Sequence, residues 1–121
     1  MIIDIHSHLW SGQGERIPAY LDALRAGWID RSAVLVLESW SRQVTDTVRW
    51  KGASNQEVHD AIVDHPDRLV LFATVPPQLD DSPDVLEDVV SRFPVRGLKL
   101  HPAIQGFEPT NPQVIRFVKT A

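Results

Sequence analysis

The chain has no cysteine, which excludes disulfides and any thiolate ligand for a metal. A metal site would have to be built from imidazole, carboxylate, lysine-derived or water ligands. No apolar stretch approaches the roughly 20 residues needed to cross a bilayer. The N-terminus also lacks a basic region followed by an apolar core, so no secretory signal is read there. The expected compartment is the cytoplasm, with no membrane partner. No long run of one charge sign occurs and the net charge is −4, which argues against a nucleic-acid partner. A Gly-x-Gly-x-x-Gly loop is missing from the first crossover, leaving dinucleotide binding without support. Repeats and low-complexity segments are absent too. What is present is 121 residues, 43% hydrophobic and 23% charged, about one domain's worth.

Hydrophobic patterning alternates between strand and helix signals. Strands are expected at residues 2–6, 33–37, 69–75 and 95–101. The second, Ala-Val-Leu-Val-Leu, is apolar on both faces, as suits a buried parallel strand. A first helix is expected over residues 18–26, with Pro18 in its first turn and Gly27 at its stop. Ser54-Asn55-Gln56-Glu57 reads as a capping box opening a second helix that ends at His65-Pro66. A third begins at Ser82-Pro83-Asp84, with Ser82 as N-cap, and carries Val85, Leu86, Val89, Val90 and Phe93 as its apolar stripe. Residues 102–109 read as a loop. A fourth helix opens at residues 110–113, with Val114, Ile115, Phe117 and Val118 on its apolar side. The βαβαβαβα order implies a parallel α/β fold with right-handed crossovers, either a doubly wound open sheet or a (β/α) barrel. Both put functional groups at the C-terminal ends of strands.

Two strand ends carry ionisable pairs. The first strand closes in Asp4-Ile5-His6-Ser7-His8. Strict alternation would put Asp4, His6 and His8 on one face and Ile3 and Ile5 on the other. Two imidazoles roughly 6–7 Å apart at the backbone, two strand rises, can converge on one metal ion, and zinc commonly takes such nitrogens. The fourth strand closes in Gly97-Leu98-Lys99-Leu100-His101, which sets Lys99 and His101 on the face opposite Leu98 and Leu100. A lysine facing that layer needs a partner, a metal-linked carbamate or a substrate anion. Trp10, Trp40 and Arg42 follow strand ends and are candidates for the substrate pocket with His101. Tryptophan faces suit flat or apolar groups, and Arg42 suits a carboxylate.

These segments resemble the amidohydrolase superfamily, in its amidohydrolase-related, metal-dependent hydrolase branch. The resemblance rests on DIHSH at the first strand, Asn55 to Val58, HPDRLVLFATVPP at residues 65–77 and RGLKLHPAIQGFEP at residues 96–109. It implies a TIM barrel binding a divalent metal, zinc or else manganese, with His6 and His8 as metal ligands and Lys99 as a further, carboxylated one. The implied activity is attack of metal-activated water on an amide, lactone or similar bond of a small-molecule substrate. A decarboxylase or hydratase on the same metal site is one alternative. A non-catalytic half-barrel acting as an assembly or binding module is the other. The family's general-base aspartate falls beyond residue 121. The chain is accordingly expected to be a single (β/α)4 half-barrel, the N-terminal fragment of a (β/α)8 domain, unless a second copy closes the barrel as a homo-oligomer.

Overall fold

A computed structural model of the chain describes residues 1–37 and 52–121. Four strands run in the order β1 (Ile3–Ser7), β2 (Arg31–Leu35), β3 (Leu69–Ala73) and β4 (Val95–Leu98), each parallel to its neighbour. Five α-helices are described: α1 (Ile17–Ala26), α2 (Asn55–Ile62), α3 (Ser82–Arg92), α4 (Pro102–Gln105) and α5 (Pro112–Thr120). Spatial order equals sequence order. A doubly wound sheet reverses direction at a switch point, whereas a barrel adds each strand beside the last. The 1-2-3-4 order therefore resolves the two architectures in favour of a partial barrel.

Local chemistry explains the helix starts. Ser54 Oγ accepts the Glu57 N–H at 3.2 Å and Glu57 Oε2 accepts the Ser54 N–H at 2.9 Å, a complete capping box. The other Glu57 oxygen accepts the Ser11 hydroxyl at 2.5 Å, tying the loop after β1 to α2. Asn111 caps α5 through the Gln113 N–H at 2.9 Å.

Several boundaries differ from expectation. Ser82 is the first residue of α3 rather than its cap. Its buried hydroxyl serves the preceding turn, meeting the Pro76 and Leu79 carbonyls and the Leu79 N–H. Asp81 takes the N-cap position without a side-chain bond. The second helix ends at Ile62, before His65, which closes a turn onto the Ile62 carbonyl. The expected loop after β4 contains the helix α4. At the end of α1 the left-handed residue is Trp28 (φ 57°), one place beyond Gly27. On α5, Val114 and Phe117 are buried while Ile115 and Val118 are exposed.

The core lies between the sheet and the helices. Ile17, Leu21 and Leu24 of α1, Val58 and Ile62 of α2, and Val89 and Phe93 at α3 meet Val34, Leu69 and Leu71. Leu98 and Leu100 pack against this core, so Gly97, Lys99 and His101 fall on the opposite, concave face. That face is open: Ile3 is 48% and Ile5 73% exposed. A groove of about 700 Å³ runs beside β4, lined by residues of α3 and α5. Among the described residues no strand pairs with the outer edge of β4, and an open parallel edge of this kind is a template for another strand.

Gly97 is dictated by its neighbour. A Cβ there would lie 2.7 Å from the Phe72 ring, closer than packed atoms approach. Gly97→Ala should destabilise the chain by about 1–3 kcal/mol, the usual cost of overpacking. Most of that loss should disappear in the Phe72→Ala background, as read by urea unfolding of the four members of the cycle.

Candidate functional site

The geometry of the first strand depends on a bulge. Asp4 pairs with Ser32 and Ser7 with Val34, so β1 spends three steps where β2 spends two. The extra residue changes the alternation. Asp4 turns toward α1, where its Oδ2 accepts from Tyr20 at 3.4 Å and from Ser32 at 3.2 Å. Ser7, an odd number of residues later, is on that same side, hydrogen-bonded to Ser32 at 3.1 Å and to the Ala33 carbonyl at 2.9 Å. Leu9 follows into the core. The expectation that Asp4 shares a face with His6 and His8 is therefore corrected: the aspartate belongs to the helix layer. Its Oδ1 accepts the His6 N–H at 3.0 Å, supplying a partner for a backbone donor in the bulge.

Past the bulge the two histidines converge. Their Nε2 atoms are 3.0 Å apart and the rings meet edge to face. His8 Nδ1 is 2.8 Å from the Leu35 carbonyl. A carbonyl only accepts, so Nδ1 carries the proton and the His8 Nε2 presents its lone pair. A backbone carbonyl holding the distal N–H is the usual support for a ligating histidine. Two nitrogens on one tetrahedral zinc, bonded at 2.0–2.1 Å, lie roughly 3.3 Å apart, so the pair fits as two donors. It is not a full set: among the described residues, no group of three His, Asp or Glu side chains could hold a metal.

Burial lowers the His8 pKa below the ordinary 6.5. The hydrogen bond to Leu35 opposes this, and the positive charges of His6, Lys99 and His101 reinforce it. The two ionisable pairs, separated by some ninety positions in sequence, thus act on one another at a single rim. Trp10 joins them, its ring stacked on His8 at 5.9 Å between centroids. Trp40 and Arg42 lie outside the described residues.

A buried amide network fixes the β3 and β4 ends. Asn55, the first residue of α2, exchanges two bonds with the backbone of Thr74: it accepts the N–H at 2.9 Å and donates to the carbonyl at 2.8 Å. Thr74 Oγ1 donates to the Lys99 carbonyl at 2.9 Å. Gln105 donates to Thr74 Oγ1 and to the Val75 carbonyl, each at 3.1 Å, and accepts the His101 N–H at 2.6 Å. Thr74 and Gln105 were not singled out by sequence reasoning, and Asn55 only as a helix start. The available signal was Thr74, a polar side chain set just after the apolar β3, a pattern that surface loops share.

No protein-family model and no curated protein sequence matches the chain. A solved structure does: a probable 2-pyrone-4,6-dicarboxylic acid hydrolase from Acinetobacter baumannii, with citric acid bound. The TM-score is 0.59 at 18% identity, covering 98% of this chain and 44% of that one. The likeness at this identity is one of fold. The chain spans less than half the length of that hydrolase.

Two outcomes are expected from these contacts. Asn55→Ala would leave the buried Thr74 N–H and carbonyl unpaired, at about 1–3 kcal/mol each, so the urea midpoint should fall well below the wild type's. The second concerns pH. His8 is neutral in the fold at a pH where the unfolded chain protonates it. That contribution to stability is complete above about 6.5 and is lost as pH falls through the depressed folded value. His8→Gln should therefore flatten the change in unfolding midpoint between pH 7 and pH 5.

Proposed function

We propose that the chain carries the first four β/α units of a hydrolase barrel and that the rim formed by His6, His8, Lys99 and His101 is part of its small-molecule site. The observation that carries this is the His6–His8 pair, with Nε2 atoms 3.0 Å apart and the His8 lone pair oriented by the Leu35 carbonyl. The fold likeness to a structure named as a hydrolase supports the reaction class.

In this reading His6 and His8 hold a divalent metal, zinc or manganese, through Nε2. Such a metal supplies a Lewis acid and lowers the pKa of bound water toward neutrality. The remaining ligands and the general base come from outside the described residues. His8 is suited to its part because its depressed pKa keeps the ring neutral, the form that ligates. Trp10 backs the His8 ring and shields that side from water. Lys99 is an ammonium in this one-metal reading; the carboxylated form implied by the resemblance would serve a second metal. Closure of the barrel by four further β/α units, from a second copy or from other chain, belongs to the same proposal. The open concave face and the β4 edge, which no described strand pairs with, support it.

A second reading follows from the same distance. At 3.0 Å a His6 Nε2–H can donate directly to His8 Nε2. The pair would then work without metal, His8 acting as proton acceptor. Zinc titration by calorimetry separates the two. The metal reading expects one zinc per chain, lost in both His6→Ala and His8→Ala. Zinc uptake unchanged in either variant contradicts it. No uptake by the wild type, together with ester hydrolysis that both variants lose, selects the metal-free pair.

A further inference from the structure

The hydrogen bonds around His101 locate its proton. His101 is the N-cap of α4, and its Nδ1 accepts the Ile104 N–H at 3.3 Å. A nitrogen that accepts carries a lone pair, so the neutral ring is protonated on Nε2. His8 is the reverse, protonated on Nδ1 with its lone pair on Nε2. The two rings therefore meet the rim with opposite hydrogen-bonding sense. The cap is held firmly: Gln105, 2% exposed, accepts the His101 N–H at 2.6 Å while donating to Thr74 and Val75.

Lys99 lies two residues before His101 on the concave face. Its carbonyl is fixed by Thr74. Lys99 is a half-buried residue whose ammonium makes no hydrogen bond or ion pair among the described residues. A cation without a counter-charge among the described residues is open to an anion. The end of β4 thus offers an N–H donor and an ammonium.

We propose that the end of β4 is the anion-receiving wall of the site, where His101 Nε2–H and the Lys99 ammonium bind a carboxylate of a small molecule, and that His101 is not a metal ligand. This rests on the reading of the rim as a small-molecule site and is independent of the metal. Ligation through Nε2 would require the proton to move to Nδ1 and would forfeit the cap on Ile104. Charge-assisted bonds from two donors suit a carboxylate's two oxygens.

The test uses the metal-free chain and glutarate, a plain dicarboxylate. Long-range proton–nitrogen NMR should show His101 as the Nε2–H form and His8 as the Nδ1–H form, and glutarate should shift the His101 Nε2 signal. His101→Asn preserves the cap, since asparagine is a good N-cap, but removes the donor. Glutarate affinity should then fall about tenfold, in line with a lost charge-assisted bond, with the far-UV circular dichroism unchanged. Lys99→Met should weaken binding at least as much. The proposal is overturned by an Nδ1–H form at His101, by no glutarate binding to the wild type, or by unaltered binding in His101→Asn. Inorganic phosphate competing as well as glutarate would overturn the carboxylate assignment. Failure of zinc uptake with these results intact would count against the metal reading alone.

Discussion

One extra residue in β1 decides what the rim of this sheet can do. Without the bulge, strict alternation would align Asp4 with His6 and His8, and a carboxylate would share the face with two imidazoles. The bulge turns the aspartate into the helix layer, where Tyr20 and Ser32 donate to it, and leaves the histidines to converge on each other. The aspartate still serves the site at one remove, because its second oxygen holds the His6 N–H. A half-buried carboxylate with several donors is well satisfied, so the arrangement is stable without any metal to balance it.

Parallel order does the rest. Because β1 to β4 lie side by side and run the same way, their C-terminal ends share one rim. His8, just after β1, and Lys99 and His101, just after β4, are far apart in sequence yet near in space: burial is the main cause of the lowered His8 pKa, and the charges of Lys99 and His101 add to it. The buried amides of Asn55 and Gln105 then fix the β3 and β4 ends to one another. These bonds hold the polar end of the rim in place, as a site that orients a ligand requires. The N-terminal ends are tied too. Arg31 reaches the Pro66 and Asp67 carbonyls, and Arg68 reaches those of Ile29 and Asp30.

Much of this was legible in the residues. Ser54 and Glu57 form the capping box their spacing announces, and Leu98 and Leu100 face the core, as alternation requires with Lys99 and His101 opposite. Element order alone did not separate barrel from doubly wound sheet, because it is the same in both; the resemblance pointed to the barrel, and the 1-2-3-4 strand pairing agrees with it. The bulge was not legible: Asp4-Ile5-His6-Ser7-His8 reads as plain alternation, and no glycine marks the break. Ser82 looked like a cap because serine before proline usually is, but the Pro76–Leu79 turn uses its hydroxyl instead. Gln105 could not be found by pattern, since its role depends on α4 folding back over the end of β3.

The central claim is that His6 and His8 form the metal-facing pair while Asp4 is excluded from it. Paramagnetic broadening by Mn2+ in amide and imidazole NMR spectra tests this directly. The account predicts broadening centred on His6 and His8, weaker at Lys99 and His101, with the Tyr20 hydroxyl side of Asp4 spared. Broadening centred on Asp4, Tyr20 and Ser32, with the histidines untouched, would contradict it.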